Sequence, residues 1–338
     1  MYRSIIIGII VSCAILIWTP YFYTKIVYEP EGIVLMNLSL HNWADYGSYA
    51  AWVKQAQDGE LFFKQLNSSE VPNKGLVFHP LFLFTGWIGN VLGMNSYTSI
   101  LLLRTTGLFV LLYGCIVFLN TLNFSKRDLG WCLLLIFFSS GLGWLWGSFS
   151  VDLIQSESIV FFSIFGSVLN PFATGLMLLI FSIFLKCESR YDKVRLFICI
   201  ALLGLSHTYD LTIILFATAL FSLYKYFVEK DFNLLTVWLR LFIYSLPVIF
   251  YQAVVLIHNA PLGVWTYFQT SVPGPKFVHF CLTYGLYLTI IILWISYRKR
   301  EFKNNVFLVT WIIAGMLLLF NPFSVRFQQK FSLGLFIP

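Results

Sequence analysis

Residues 41–59 read HNWADYGSYAAWVKQAQDG, and the polar passage they open runs on to Phe78, His79 and Pro80 in a chain otherwise built of apolar segments. At about 100° per residue, a helix over 43–58 puts Tyr46, Tyr49, Trp52, Val53 and Ala56 on one side and Gly47, Lys54, Gln57 and Asp58 on the other. Asp45 falls on the aromatic side. A helix of this composition lies in a membrane interface with its aromatics in the headgroup boundary, which turns the Asp45 carboxylate inward toward protein or lipid. Asp is also favoured at the N-cap, where it accepts a backbone N–H. Asp45 therefore reads either as a cap or as a group with a chemical task.

Around this passage the composition is that of a membrane protein. Hydrophobic residues make up 59% of the chain and charged residues 11%, against roughly 25% charged in ordinary soluble domains, and mean hydropathy is +0.80. This specifies an all-α polytopic membrane protein with the lipid bilayer as a partner. The formal charge of +7 does not indicate nucleic acid, because the basic residues sit in short turns between apolar runs and not on one solvated face. The six cysteines show no Cys-x-x-Cys spacing and mostly lie inside apolar runs, where they behave as small hydrophobes. The run after Arg3 continues to Tyr23 without a small-x-small cleavage site, so it reads as an uncleaved first span and not as a signal peptide.

Apolar runs occur at 5–23, 100–120, 129–146, 171–185, 239–257, 277–295 and 306–320, several of them shorter than the about 20 residues that cross a 30 Å core. Two further passages, 79–93 and 196–224, bring the expectation to about nine membrane segments in a single transmembrane domain over 1–338. Charge assigns the first, since basic residues in short loops mark the cytoplasmic side. If 79–93 does not cross, all thirteen basic residues from the Lys126–Arg127 turn to Lys303 in the turns and helix ends between later segments share the cytoplasmic side. If it crosses, they all move outside. The passage is therefore expected to be an interfacial or re-entrant helix within a large extracytoplasmic loop, 24–99.

The second passage has basic turns at both ends and must go out and return. Its halves, 196–205 and 211–224, are roughly 15 to 21 Å long at 1.5 Å per residue. That is too short to cross, so 196–224 reads as a re-entrant hairpin of broken half-helices whose tip, Ser206-His207-Thr208-Tyr209-Asp210, lies at bilayer depth. Residues 331–338 begin another apolar run and stop; a truncated C-terminus is the expectation and a re-entrant end the alternative.

This order of features resembles the GT-C class of membrane glycosyltransferases, which includes protein O-mannosyltransferases and aminoarabinose transferases. The resemblance is carried by one span, a long outer loop with Asp45 and Tyr46 at an aromatic-rich helix, Gly59, His79-Pro80 opening a short helix that ends at Gly93, then Arg104, Asp152 in the second outer loop, and Arg326-Phe327 late in the chain. Asp45 stands alone where the family commonly has a pair of acids, and Leu81 replaces a second proline. The resemblance implies a GT-C-like bundle with an extracytoplasmic active site, in the plasma membrane of a prokaryote or the endoplasmic reticulum of a eukaryote. It implies a polyprenyl-phosphate-linked sugar as donor and a lipid, glycan or protein hydroxyl as acceptor.

Such a transfer needs a carboxylate near the incoming hydroxyl and positive charge near the departing phosphate. Asp45 suits the role of general base, with Asp152 or Glu157 able to raise its pKa by like-charge repulsion. Arg104 or Arg326, the latter close to Lys330, suits the phosphate, because a guanidinium pairs with phosphate oxygens in a planar fork. The plainer reading of the arginines is snorkelling to the headgroups, and of Asp152 a solvated loop acid. His79 reads as a substrate contact or as the cap of the helix Pro80 opens. His207 and Asp210, three apart on the hairpin tip, are functional by default at bilayer depth or satisfy each other and the exposed backbone. With Tyr46, these residues complete the candidate site. No cluster has metal-ligand spacing, so no cofactor is expected and a divalent metal has no support. The main alternative is a secondary transporter with its substrate at the broken helices 196–224, and a third is a non-enzymatic scaffold.

Overall fold

The computed structural model describes residues 2–27, 43–66, 68–145, 159–186, 189–268, 275–297, 305–321, 328–335 and 337. Helices dominate, and among the described residues the only extended pairing is the isolated bridge between Phe63 and Val77. In chain order the helices are α1 (Tyr2–Val27), α2 (Trp43–Gln57), α3 (Pro80–Val91), α4 (Ser96–Thr121), α5 (Lys126–Phe138), α6 (Val160–Gly166) and α7 (Asn170–Leu185), followed by α8 (Arg190–Ser206), α9 (Asp210–Tyr224), α10 (Asn233–His258), α11 (Ala260–Phe268), α12 (Phe277–Tyr297) and α13 (Val306–Leu319). Six helical segments are long and apolar enough to cross a membrane: Tyr2–Val27, Ser96–Thr121, Lys126–Leu145, Asp210–Glu229, Asn233–His258 and Phe277–Tyr297. The chain is thus a multi-pass α-helical membrane protein.

Local sequence explains where the helices start. Asn95, Ser125 and Ser189 each accept a backbone N–H from the third residue on, and Ser189 with Asp192 closes a full capping box at the head of α8. The central contact is a close crossing of α4 and α7. A Cβ at Gly175 would lie 2.7 Å from backbone atoms of Val110 and Leu111, and one at Gly114 only 2.6 Å from the Gly175 carbonyl. Glycine is required here because the two backbones touch. Gly175→Leu is accordingly expected to force the helices apart at a cost of at least about 1–3 kcal/mol, read as a lower Tm in detergent. An unchanged Tm would contradict the crossing.

Beyond the crossing, Phe118 of α4, Phe181 of α7, and Phe307 and Trp311 of α13 pack edge to face, with Phe221 of α9 against Phe307. This aromatic layer puts the C-terminal ends of α4, α7 and α9 at one end of the bundle, beside the turns bearing Lys126, Arg127, Arg190, Lys193 and Lys225. The opposite end holds α2, α3, α6 and the tip between α8 and α9.

Three features differ from the sequence expectation. The aromatic side of α2 is not in a headgroup boundary: Tyr46, Trp52, Val53 and Ala56 are buried against α3 and α4, and at Gly86 a Cβ would strike Ala56 and the Val53 carbonyl. The run 129–146 is helical only to Phe138 before a bend. The arms of the hairpin are longer than half-helices, since α8 begins at Arg190 and α9 continues through a π turn, Lys225–Glu229. At 1.5 Å per residue the 17 residues of α8 span about 25 Å, and the 20 from Asp210 to Glu229 about 30 Å. Beyond α13 a 3₁₀ turn, Gln328–Ser332, folds back onto that helix, burying Phe331 and Leu333, while Gln328 Nε2 donates to the carbonyls of Leu319 and Asn321.

Candidate functional site

The end of the bundle opposite the basic turns is held together by side chains reaching into loop backbone. Trp52 Nε1 donates to the Lys64 carbonyl, Gln55 bonds the same residue through its carbonyl and its N–H, and Gln57 donates to the Met94 carbonyl. The Tyr251 hydroxyl of α10 donates to the Leu76 carbonyl and accepts from the Phe78 N–H, both at 2.6 Å, and Asn259 Nδ2 donates to the Lys74 carbonyl. These bonds fix the chain on either side of α2 and set His79 at the head of α3. Along α2, the rings of Tyr46, Tyr49 and Trp52 form a stair with centroid spacings of 6.5 and 6.2 Å.

At the foot of the stair lies Arg104, only 4% exposed. Its Nη2 donates to the carbonyls of Ile164, at 3.0 Å, and Phe165, which belong to the last turn of α6 and have no intrahelical partner. Arg104 is therefore not snorkelling. Its Nε has no hydrogen bond among the described residues, nor does the Tyr46 hydroxyl. The two groups face each other: burial pushes the Tyr46 phenol pKa up, while the charge of the Arg104 guanidinium and its close approach to the phenol oxygen work against that shift. Among the described residues no carboxylate stands within ion-pair distance of Arg104. Asp45 precedes Tyr46 on the first turn of α2 and is half-buried. The foot of the stair thus joins a buried cation with spare donor capacity to a phenol, one residue from a carboxylate.

The head of the stair meets the hairpin tip. His79 is 5% exposed, its ring 4.1 Å from Phe82 and 6.0 Å from Trp52. Neither of its nitrogens has a hydrogen bond among the described residues, although the Ser206 backbone lies near enough to favour the protonated ring. Burial outweighs that, with His207 adding to it, and the His79 pKa falls from 6.5 to about 3. The unfolded chain binds the extra proton between these values, so the contribution of His79 to stability is complete above pH 6.5 and declines as pH falls toward 3. Melting temperatures over that range should fall less steeply for His79→Gln than for the wild type; equal slopes would contradict a neutral buried His79.

At the tip itself, His207 Nδ1 lies 2.6 Å from Asp210 Oδ2, and its Nε2 is paired with the Tyr209 hydroxyl. Asp210 is fully buried and His207 nearly so.

Of the residues singled out from sequence, the structure brings Tyr46 to Arg104 and sets His79 near His207, which is paired with Asp210. Lys330 lies on the 3₁₀ turn that packs against α13 and α9. Asp152, Glu157 and Arg326 lie outside the described residues. Sequence reading missed Tyr209, Ser206 and Tyr251. It also missed Asn170, whose buried Nδ2 has no partner among the described residues at the α6–α7 junction just beyond the Arg104 contacts. The described His, Cys, Asp and Glu residues form no group of three able to hold a metal.

Fold and site together define the class: an integral membrane protein of several spans with a buried polar site at one end. No family model matches the chain, no curated protein matches it, and no solved structure matches it.

Proposed function

We propose that the protein is a membrane glycosyltransferase of the GT-C kind, which moves a sugar from a polyprenyl phosphate to an acceptor hydroxyl on the extracytoplasmic side. The observation that carries this reading is Arg104. A guanidinium buried without a carboxylate is costly, and here one edge caps α6 while, among the described residues, neither Nε nor the adjacent Tyr46 hydroxyl has a hydrogen-bond partner. A lipid phosphate, the diester of the donor or the monoester it leaves, fits that arrangement, accepting from Nε and from the Tyr46 hydroxyl with charge-assisted strength. In the reaction the acceptor hydroxyl gives its proton to Asp45 as its oxygen bonds to the anomeric carbon. The bond from that carbon to the phosphate oxygen breaks, and the leaving phosphate keeps the electron pair, stabilised by Arg104. Asp152 and Glu157, and Arg326 with Lys330, remain supporting candidates for the acid and phosphate roles.

The test is turnover. Protein reconstituted in lipid discs with a panel of radiolabelled polyprenyl-phosphate hexoses and pentoses is expected to release free polyprenyl phosphate from at least one of them. Release from none would reject the reading. A second reading, a transporter, draws support from the buried His207–Asp210 pair at a helix break; uptake of labelled solute into proteoliposomes without any release of polyprenyl phosphate would favour it.

A further inference from the structure

We propose that the apolar cleft between α4, α5, α12 and α13 binds one anionic phospholipid of the leaflet on the side of the basic turns, with an acyl chain between α5 and α12 and the headgroup phosphate at Lys126 and Arg127 on the first turn of α5. The cleft measures about 320 Å³, in the range of about 300–1,000 Å³ typical of small-molecule sites. Among the described residues, α12 is anchored through the half away from the basic turns. There the Thr283 carbonyl accepts from the Leu142 N–H, the Tyr287 hydroxyl donates to the Ser140 carbonyl, and the Phe280 ring packs against Phe320. From Leu288 to Tyr297 no residue of α12 is buried, and Leu288 and Ile291 line the gap together with Leu135 of α5 and Leu308 of α13.

The lining defines the occupant. It holds no charged side chain, and its Ser139 and Tyr287 hydroxyls donate to the carbonyls of Leu135 and Ser140. A sugar or an anion inside would strand its polar atoms, and an empty gap would forfeit the contacts of the atoms around it; a hydrocarbon chain does neither. The depth fits one leaflet. On α5 the lining runs from Cys132 to Ser139, about 9 to 20 Å beyond Lys126 at 1.5 Å per residue, against about 15 Å for half of a hydrocarbon core. The cleft is also continuous with the lipid-facing surface of two helical segments long and apolar enough to span, since Leu135 is 62% and Ile290 53% exposed. Charge selects the headgroup. Phe124, in the lining, is two residues before Lys126, and Lys126 and Arg127 are exposed with no carboxylate within ion-pair distance among the described residues. Asp128, on the same turn and bonded to the Ser125 hydroxyl, lowers the sum of the three side chains to one positive charge, which a phosphodiester complements. This site does not depend on the glycosyltransferase reading, and its headgroup end lies at the end of the bundle opposite Arg104.

The test is native mass spectrometry of the detergent-purified protein with equal amounts of phosphatidylglycerol and phosphatidylcholine of the same acyl chains, and of a polyprenol. Phosphatidylglycerol is expected to be retained about fivefold or more over phosphatidylcholine, as one net charge near a headgroup allows. The preference is expected to vanish in the double variant Lys126→Gln, Arg127→Gln, with phosphatidylcholine retained as before. Leu135→Trp, whose ring fills the cleft, is expected to lower retention of both phospholipids about tenfold or more, whereas Ile243→Trp, on an exposed part of α10, leaves it unchanged. In lipid discs a phosphatidylglycerol carrying a diazirine in its acyl chain is expected to label α5 between Cys132 and Ser139 and α12 between Phe280 and Ile291. Equal retention of the two phospholipids by the wild type, retention unchanged in Leu135→Trp, or label spread evenly over the exposed faces of α1 and α10 would each overturn the proposal. So would retention of the polyprenol over phosphatidylglycerol, which would give the cleft to an isoprenoid tail.

Discussion

Arg104→Met is expected to abolish the preference for polyprenyl phosphate over the uncharged polyprenol, and with it sugar transfer. A charge-assisted hydrogen bond contributes about 1.5–3 kcal/mol, and loss of the buried cation opposite a phosphate costs about 2–5 kcal/mol, so affinity should fall by roughly two to three orders of magnitude. The fold should survive, since replacing a buried ionic group by an apolar one of similar shape is often neutral. What α6 loses is a cap on the Ile164 and Phe165 carbonyls, read separately as a lower Tm. Arg104→Lys keeps the charge but not the planar fork, and should fall between the two. Native mass spectrometry of lipid-bound protein checks the order; equal retention of phosphate and alcohol by the wild type would remove Arg104 from ligand binding.

Asp45→Asn separates the two meanings of that residue. Asn is as good an N-cap as Asp, so if Asp45 merely starts α2, the variant melts and turns over like the wild type. If Asp45 is the general base, turnover should fall by about 10²–10⁴-fold with Tm unchanged, because an amide does not accept the proton. A fall in both would mean that Asp45 holds the end of α2 against its neighbours and has no chemical role.

The periodicity of residues 43–58 identified the buried face of α2 but misjudged what covers it. A helical period reports which side is apolar, and Tyr46 and Trp52 suit a lipid boundary as well as the flank of α3. The break at 206–210 was legible because polar residues interrupt an apolar run. Its arms were read short because hydropathy discards Arg190, Asp192 and Arg195, which belong to the first turns of α8. The Ser189-x-x-Asp192 capping box would have recovered that start. Arg104 could be picked out as a buried-span arginine, but its partners, 60 and 61 residues away at Ile164 and Phe165, leave no trace in local pattern. The same holds for Gly114 and Gly175. Tyr209 was overlooked because a tyrosine between a histidine and an aspartate looks like one more aromatic until its hydroxyl is seen to turn back onto His207.

A lipid phosphate is expected at the foot of the α2 stair. The measurement is crosslinking in lipid discs by a photoreactive polyprenyl phosphate that carries its label next to the phosphate, mapped by peptide mass spectrometry. Labelling is expected in α2 near Asp45 and Tyr46 and in α4 near Arg104, competed by unlabelled polyprenyl phosphate and absent in Arg104→Met. Labelling confined to the apolar cleft of about 320 Å³ between α4, α5, α12 and α13, equal in wild type and variant, would place the lipid phosphate away from Arg104.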